Sequence, residues 1–269
     1  MSLRKRLIAC LDVTGDRVVK GTRFVELEDA GNAVELAARY AAEGADEIVI
    51  LDIGATHDRR PALLDLISRA ATALDVPLGV GGGVASLEDA AALLDAGADK
   101  VSVNSAALRD PGLLDRIAAR LGSQSLVISI DAARDHDGAG WRVRSVSGTT
   151  DAGREAVAWA REAVARGAGE VLLTSIDRDG TRSGYDLELT RAVADAVPVP
   201  VIASGGAGSA SDVLAALDEG GASAALLASL LHRRMVTIAQ LKAELASRGL
   251  PVRPISAPPT PTEVAAWLG

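Results

Sequence analysis

Short apolar runs rich in β-branched residues alternate with longer Ala-, Leu-, Glu- and Arg-rich segments of helical period along the whole chain. Eight runs read as strands: RLIACLD, EIVILDI, VPLGV, DKVSVN, SLVISID, EVLLTSI, VPVIAS and SAALLA. Each is followed by a helical segment. Eight β–α units within some 250 residues predict an α/β fold, a closed (β/α)8 TIM barrel, in preference to an open doubly wound sheet. The expected organisation is one barrel over residues 1–250 and a proline-rich extension over 251–269.

Local punctuation agrees with this alternation. Asp110–Pro111 and the Ser86–Asp89 pair read as helix starts, and Gly44, Gly97, Gly167 and Gly220 as left-handed residues ending helices. The chain also repeats itself. EGADEIVILDI at Glu43 is echoed at Arg166, LGVGGGVAS at Leu78 by VIASGGAGS at Val201, and GADKVSVNSAAL at Gly97 by GASAALLASLLH at Gly221, at offsets of 123, 123 and 124 residues. Asp12 and Asp131, each closing a strand, lie 119 residues apart. Two four-strand halves are implied, each with open edges that closure onto the other would satisfy.

Alternate residues of a barrel strand face its interior. With Asp12 at the mouth, Cys10, Ile8 and Arg6 descend inward beneath it. The same parity carries Glu47, Val49 and Leu51; Lys100, Ser102 and Asn104; and Glu170, Leu172 and Thr174. Four strands therefore begin on inward charges, Arg6, Glu47, Lys100 and Glu170, two of each sign. An unpaired buried ion is costly, so these predict a paired ring, for which a structural plug is the plain reading from parity alone.

The other end carries the chemistry, since sites in this fold lie at the C-terminal ends of the strands. Strands one and five are diametrically opposed, so Asp12 and Asp131 would face one another, as an acid and a base acting on one substrate. Thr174 and Ser204 arrive at the same rim. The turns GVGGGVAS and ASGGAGS, with NSA and ASL beside them, each offer backbone N–H groups to a phosphate. Together they predict a ligand with a phosphate at either end, over which Lys20, in the loop after the first strand, could close.

Composition narrows the class. Of 269 residues 48% are hydrophobic and 24% charged, ample for a large core; a net charge of −8 with 2% aromatics disfavours nucleic acid as a partner. The single cysteine, Cys10, and the short apolar run after MSLRKR suggest a cytoplasmic protein without a signal peptide. Ala224–Leu231, the longest nearly apolar run, is far short of a membrane span. His57, His136 and His232 are scattered, so no metal site is expected.

The runs IACLDV…GDRVVKG, VGGGV, GADKVSVNSAA, GAGEVLLTSIDRDGTRSGYD and ASGGAG resemble the cyclase subunit of imidazole glycerol phosphate synthase, from histidine biosynthesis, over about Leu3 to Leu250. The resemblance implies a lyase without metal or organic cofactor. Its substrate would be the phosphoribulosyl formimino aminoimidazole carboxamide ribotide, attacked by ammonia from a glutaminase subunit to give imidazole glycerol phosphate and aminoimidazole carboxamide ribotide. It implies Asp12 and Asp131 as the acid–base pair and Lys20 as the residue covering the substrate. Gly83, Asn104 and Ser105 would hold one phosphate, Gly180, Gly206, Ala228 and Ser229 the other, and Asp179 would contact substrate. The resemblance also turns Arg6, Glu47, Lys100 and Glu170 into an ammonia gate facing the docked glutaminase, a heterodimer partner on the N-terminal face.

The chain departs from the family in DIGATHDRR after the second strand and in SVSGTTDAG, where Thr149, Thr150 and Ala152 replace the usual pattern. Two alternatives stand beside the cyclase: the related sugar-phosphate isomerase of histidine biosynthesis, which needs no ammonia port, and a noncatalytic or engineered phosphate-binding barrel.

Overall fold

A computed structural model describes residues 4–22, 25–54, 60–135, 138, 140–145 and 150–255, with only the backbone path at 20–22 and 25–28. The sequence expectations that fall on residues 256–269, on 55–59 and on 146–149 lie outside the described residues, as does the Lys20 side chain. Twelve strands are described: β1 (Arg6–Thr14), β2 (Arg17–Thr22), β3 (Val25–Asn32), β4 (Glu47–Asp52), β5 (Leu78–Gly81), β6 (Lys100–Val103), β7 (Leu126–Arg134), β8 (Trp141–Ser145), β9 (Thr150–Glu155), β10 (Glu170–Ser175), β11 (Val201–Ser204) and β12 (Ala224–Leu227). Helices α1 (Ala33–Ala42), α2 (Arg60–Ala73), α3 (Leu87–Asp95), α4 (Ser105–Arg109), α5 (Gly112–Leu121), α6 (Ala156–Ala165), α7 (Leu187–Ala194), α8 (Ala210–Leu217), α9 (Ser229–His232) and α10 (Ile238–Ser247) fill the connections.

The eight strands read from the sequence pair in parallel, in the order β1, β4, β5, β6, β7, β10, β11, β12, and β12 pairs back onto β1 through Arg6↔Ala224 to Ala9↔Leu227. The sheet is therefore closed, the (β/α)8 barrel expected. The remaining four strands were not legible. β2–β3 and β8–β9 are antiparallel ribbons, one following β1 and the other β7, at corresponding places in the two halves. Their alternations, VELE in β3 and WRVRS in β8, are too short to stand out beside the eight apolar runs. Their returns match too: Asn32 and Glu155, 123 residues apart, cap α1 and α6 with their side chains.

Strands buried on both faces explain the continuous apolar runs. One set of side chains packs outward under the helices, where Leu113, Leu114 and Ile117 of α5 meet the sheet. The other set packs inside the barrel as a smaller cluster of Ile8, Cys10, Val49, Val127, Leu172, Ile202, Ala224 and Leu226. The parity expected for β1, β4 and β10 is thus the one found.

Ser86 and Asp89 form the expected reciprocal cap of α3, and Asp110 accepts the Gly112 N–H at the start of α5. Gly44, Gly97 and Gly167 have φ of 100°, 111° and 103°. At the fourth site the left-handed residue is Gly221, with φ 70°, and not Gly220, whose N–H instead reaches back to Ala215 O. The chain after α10 docks on the N-terminal face. Lys5 N–H donates to Pro251 O at 2.7 Å, Val252 bridges Lys5, and Arg253 Nε lies 3.0 Å from Asp46 Oδ1.

Candidate active site

A cavity of about 410 Å³ opens at the C-terminal ends of the barrel strands, with Cys10, Asp12, Asn104, Asp131, Thr174, Asp179 and Ser204 on its walls. A smaller one, of about 50 Å³, continues it past Asp179, Ser204 and Ala228 to Gly180, Gly206 and Ser229. Gly83 and Ser105 line the first at its opposite rim. Every substrate-side residue expected from the sequence, Lys20 apart, therefore lies on one continuous surface.

Asp12 ends the inward column of β1 and Asp131 that of β7. Asp12 is pushed up to about 7, chiefly by loss of water, then by the charge of Asp179, with Cys10 Sγ, 3.9 Å from Oδ1, opposing and Asp131 adding a little. Asp131 is pushed up to about 6, again chiefly by burial. Its Oδ2 accepts from Asn104 Nδ2 at 2.9 Å, which holds the value down against the charge of Asp179. Two buried carboxylates whose affinities for a proton are both raised toward neutrality can serve as acid and base there.

Asn104 thus has its side-chain amide on Asp131, whereas the sequence reading set this residue toward a phosphate. Its Oδ1 is buried with no partner among the described residues, leaving an acceptor beside the cavity. Its backbone opens α4 with φ −129° and ψ −97°, and Ala228, 124 residues later, opens α9 with φ −128° and ψ −85°. The two glycine turns match in the same way. Gly82 and Gly83 have φ of 98° and 62°, Gly205 and Gly206 of 89° and 104°, values that an L side chain rarely adopts. A Cβ on Gly206 would stand 2.2 Å from Gly184 O. Four backbone corners, two per half, therefore surround the acids.

At the other end of the barrel the four charges close into an alternating ring. Arg6 Nη1 lies 2.8 Å from Glu47 Oε2, and Arg6 Nη2 bonds Glu170; Lys100 Nζ lies 2.8 Å from both Glu47 Oε2 and Glu170 Oε2. The glutamates are 3% and 7% exposed, the cations more open to the N-terminal face. Burial raises the Glu47 carboxyl, and Lys100 and Arg6 offset part of that cost. Between ring and acids stands the apolar inner cluster, with Ser102 and Ser129 at its upper edge on the cavity wall.

A family model described as "Histidine biosynthesis protein" matches residues 6–237. Imidazole glycerol phosphate synthase subunit HisF of Myxococcus xanthus is 58% identical over 254 residues, 94% of this chain and 100% of that protein. The chain belongs to the HisF family. Further members, from Trichormus variabilis and Synechocystis sp., are each 54% identical, covering 93% and 94% of this chain and 98% of either relative. Identity of this extent makes the activity that of the cyclase subunit, a lyase of histidine biosynthesis, and the isomerase reading gives way to it.

Several parts of this HisF-family site escaped the sequence reading. Arg109, Ser129 and Asp52 line the larger cavity. Arg109 sits just beyond the NSA turn, and Ser129 two residues before Asp131 on the inward side of β7, so spacing from residues already chosen would have found both. Tyr185 of the SGYD run is buried and donates its hydroxyl to Leu226 O at 3.0 Å, tying that loop to β12 beneath the smaller cavity.

Proposed function

We propose that the chain binds the phosphoribulosyl formimino substrate across the barrel mouth and condenses it with ammonia. One phosphate would rest on Gly83, Asn104 and Ser105, the other on Gly180, Gly206, Ala228 and Ser229, with Thr174, Asp179 and Ser204 along the middle. Asp131, ionised below neutrality, accepts the proton shed by the attacking nitrogen. Asp12, still partly protonated at pH 7, supplies a proton to the departing group during ring closure and cleavage. Lys20 covers the substrate. The observation that supports this most is the pair of acids with raised affinities for a proton, set between matched glycine turns.

Ammonia would come from a glutaminase subunit docked on the N-terminal face and pass the ring of Arg6, Glu47, Lys100 and Glu170. The inner cluster above the ring is apolar, so the neutral molecule crosses at far lower cost than ammonium. Among the described residues no helix is long and apolar enough to cross a membrane; a cytoplasmic enzyme made of the 1–250 barrel and its 251–269 extension is the reading we adopt. The test is to supply the substrate and an ammonium salt at alkaline pH and to follow loss of substrate absorbance. Turnover that Asp12→Asn and Asp131→Asn abolish supports the reading; isomerisation without ammonia, or binding without turnover, rejects it.

A further inference from the structure

The two glycine turns correspond residue for residue at an offset of 123: Gly82 with Gly205, Gly83 with Gly206, Ala85 with Gly208, Ser86 with Ser209 and Asp89 with Asp212. Their scaffolding corresponds as well. A Cβ on Gly82 would stand 2.1 Å from Asp52 O and one on Gly205 2.6 Å from Ser175 O, themselves repeat partners. Asp89 Oδ2 accepts the Ala85 N–H at 2.9 Å, and Asp212 Oδ2 the Gly208 N–H at 3.1 Å. Ser86 and Ser209 cap the following helices.

The turns part company at one carbonyl. Gly206 O accepts a backbone hydrogen bond from Gly184 N–H at 2.9 Å. The residue 123 positions before Gly184 is Pro61, which has no N–H to give. Gly83 O is held instead by a side chain, Arg60 Nη2. The same nitrogen lies 3.3 Å from Asp89 Oδ1, so one guanidinium ties the turn's carbonyl to the carboxylate that caps α3. Gly83 is exposed where Gly206 is buried, so the first turn has less packing to fix its peptide plane.

We propose that Arg60 is a positioning residue for the first phosphate turn, its guanidinium doing for the Gly83 carbonyl what the Gly184 N–H does for Gly206. A trans peptide is planar with C=O and N–H opposed. Anchoring Gly83 O on the Arg60 side therefore turns Val84 N–H the other way, and Val84 is on the cavity wall. Ala207 stands in the same relation to Gly206 and lines the smaller cavity. Arg60 is not among the described residues on either wall and acts through the turn. This inference rests on the phosphate reading of that turn.

The experiment is a titration of the full-length protein with inorganic phosphate, read from backbone amide shifts at Val84 and Ala85 and separately at Ala207 and Gly208. Arg60→Gln is expected to weaken phosphate at the first pair by ~tenfold, the loss of one charge-assisted hydrogen bond, and to leave the second pair as in the unsubstituted protein. Arg60→Lys, which keeps one donor, is expected to fall between them and serves if the glutamine variant does not fold. Equal weakening at both turns, or none at the first, overturns the assignment. No phosphate response at either turn in the unsubstituted protein removes the phosphate reading itself, and the inference with it.

Discussion

Asn104 Nδ2 donates to Asp131 Oδ2 at 2.9 Å, and among the described residues this bond counters the burial and the Asp179 charge that raise the Asp131 carboxyl. The pair joins the end of β6 to the end of β7, so the Asp131 carboxyl is set by a neighbour on the next strand. Replacing Asn104 by Ala removes the donor that favours the ionised form. Asp131 should then hold its proton to higher pH, by about one to two units, since hydrogen bonds to charged groups contribute ~1.5–3 kcal/mol. The acidic limb of the pH–rate profile for ammonia-driven turnover is expected to move upward by that amount. An unmoved limb would detach Asp131 from the step that the profile reports.

Asp12 makes a prediction about stability. Its folded-state value is about 7 against 3.8 unperturbed, so the folded protein binds the extra proton between those values. The stability associated with the protonated form is complete below pH 4 and lost as pH rises through 7. Asp12→Asn should therefore match the unsubstituted protein at pH 4 and exceed it at pH 8. The gain is on the order of 2 kcal/mol, smaller than the full shift implies because the cavity admits water. Thermal melting at the two pH values checks it, in a variant that is also expected to be inactive.

Removing Lys100 leaves Glu47 and Glu170 to share Arg6. Lys100→Ala should destabilise the protein by roughly 1–3 kcal/mol, the penalty of an under-compensated buried carboxylate discounted for the ring's open side. Its effect on glutamine-dependent turnover with the glutaminase should exceed its effect on turnover with free ammonia. Equal losses in the two assays would leave the ring a structural plug.

Beside that ring, Lys242 Nζ bonds Asp46 Oδ1 at 2.7 Å, both nearly without solvent, while Asp46 Oδ2 accepts the Leu7 N–H at 2.8 Å. Lys242→Met should cost about 3 kcal/mol, because among the described residues Asp46 then keeps only the more exposed Arg253 as a cation. Arg253→Ala should cost much less. Denaturation midpoints of the two variants, compared under one condition, test the order.

Much of this architecture could be read in advance because its signals are local. A strand buried on both faces is a continuous apolar run, a helix start is a serine with an acid three residues on, and a duplication is visible as a repeat. Parity along EIVILDI or DKVSVN sufficed to put Glu47 and Lys100 at one end and Asn104 at the other. The ribbons β2–β3 and β8–β9 were not readable, since their alternations are short and their pairing depends on where β1 and β7 have already been placed.

By itself, then, the sequence determined eight strands, their inward residues, two related halves and the acids at the mouth. Only the tertiary structure decided which charge meets which in the ring, that Asn104 serves Asp131, and that a guanidinium replaces a backbone N–H at the Gly83 carbonyl. The reason is physical. Period and propensity act between near neighbours in the chain, whereas these contacts join residues 23 to 164 positions apart, whose distances are fixed only when the barrel closes.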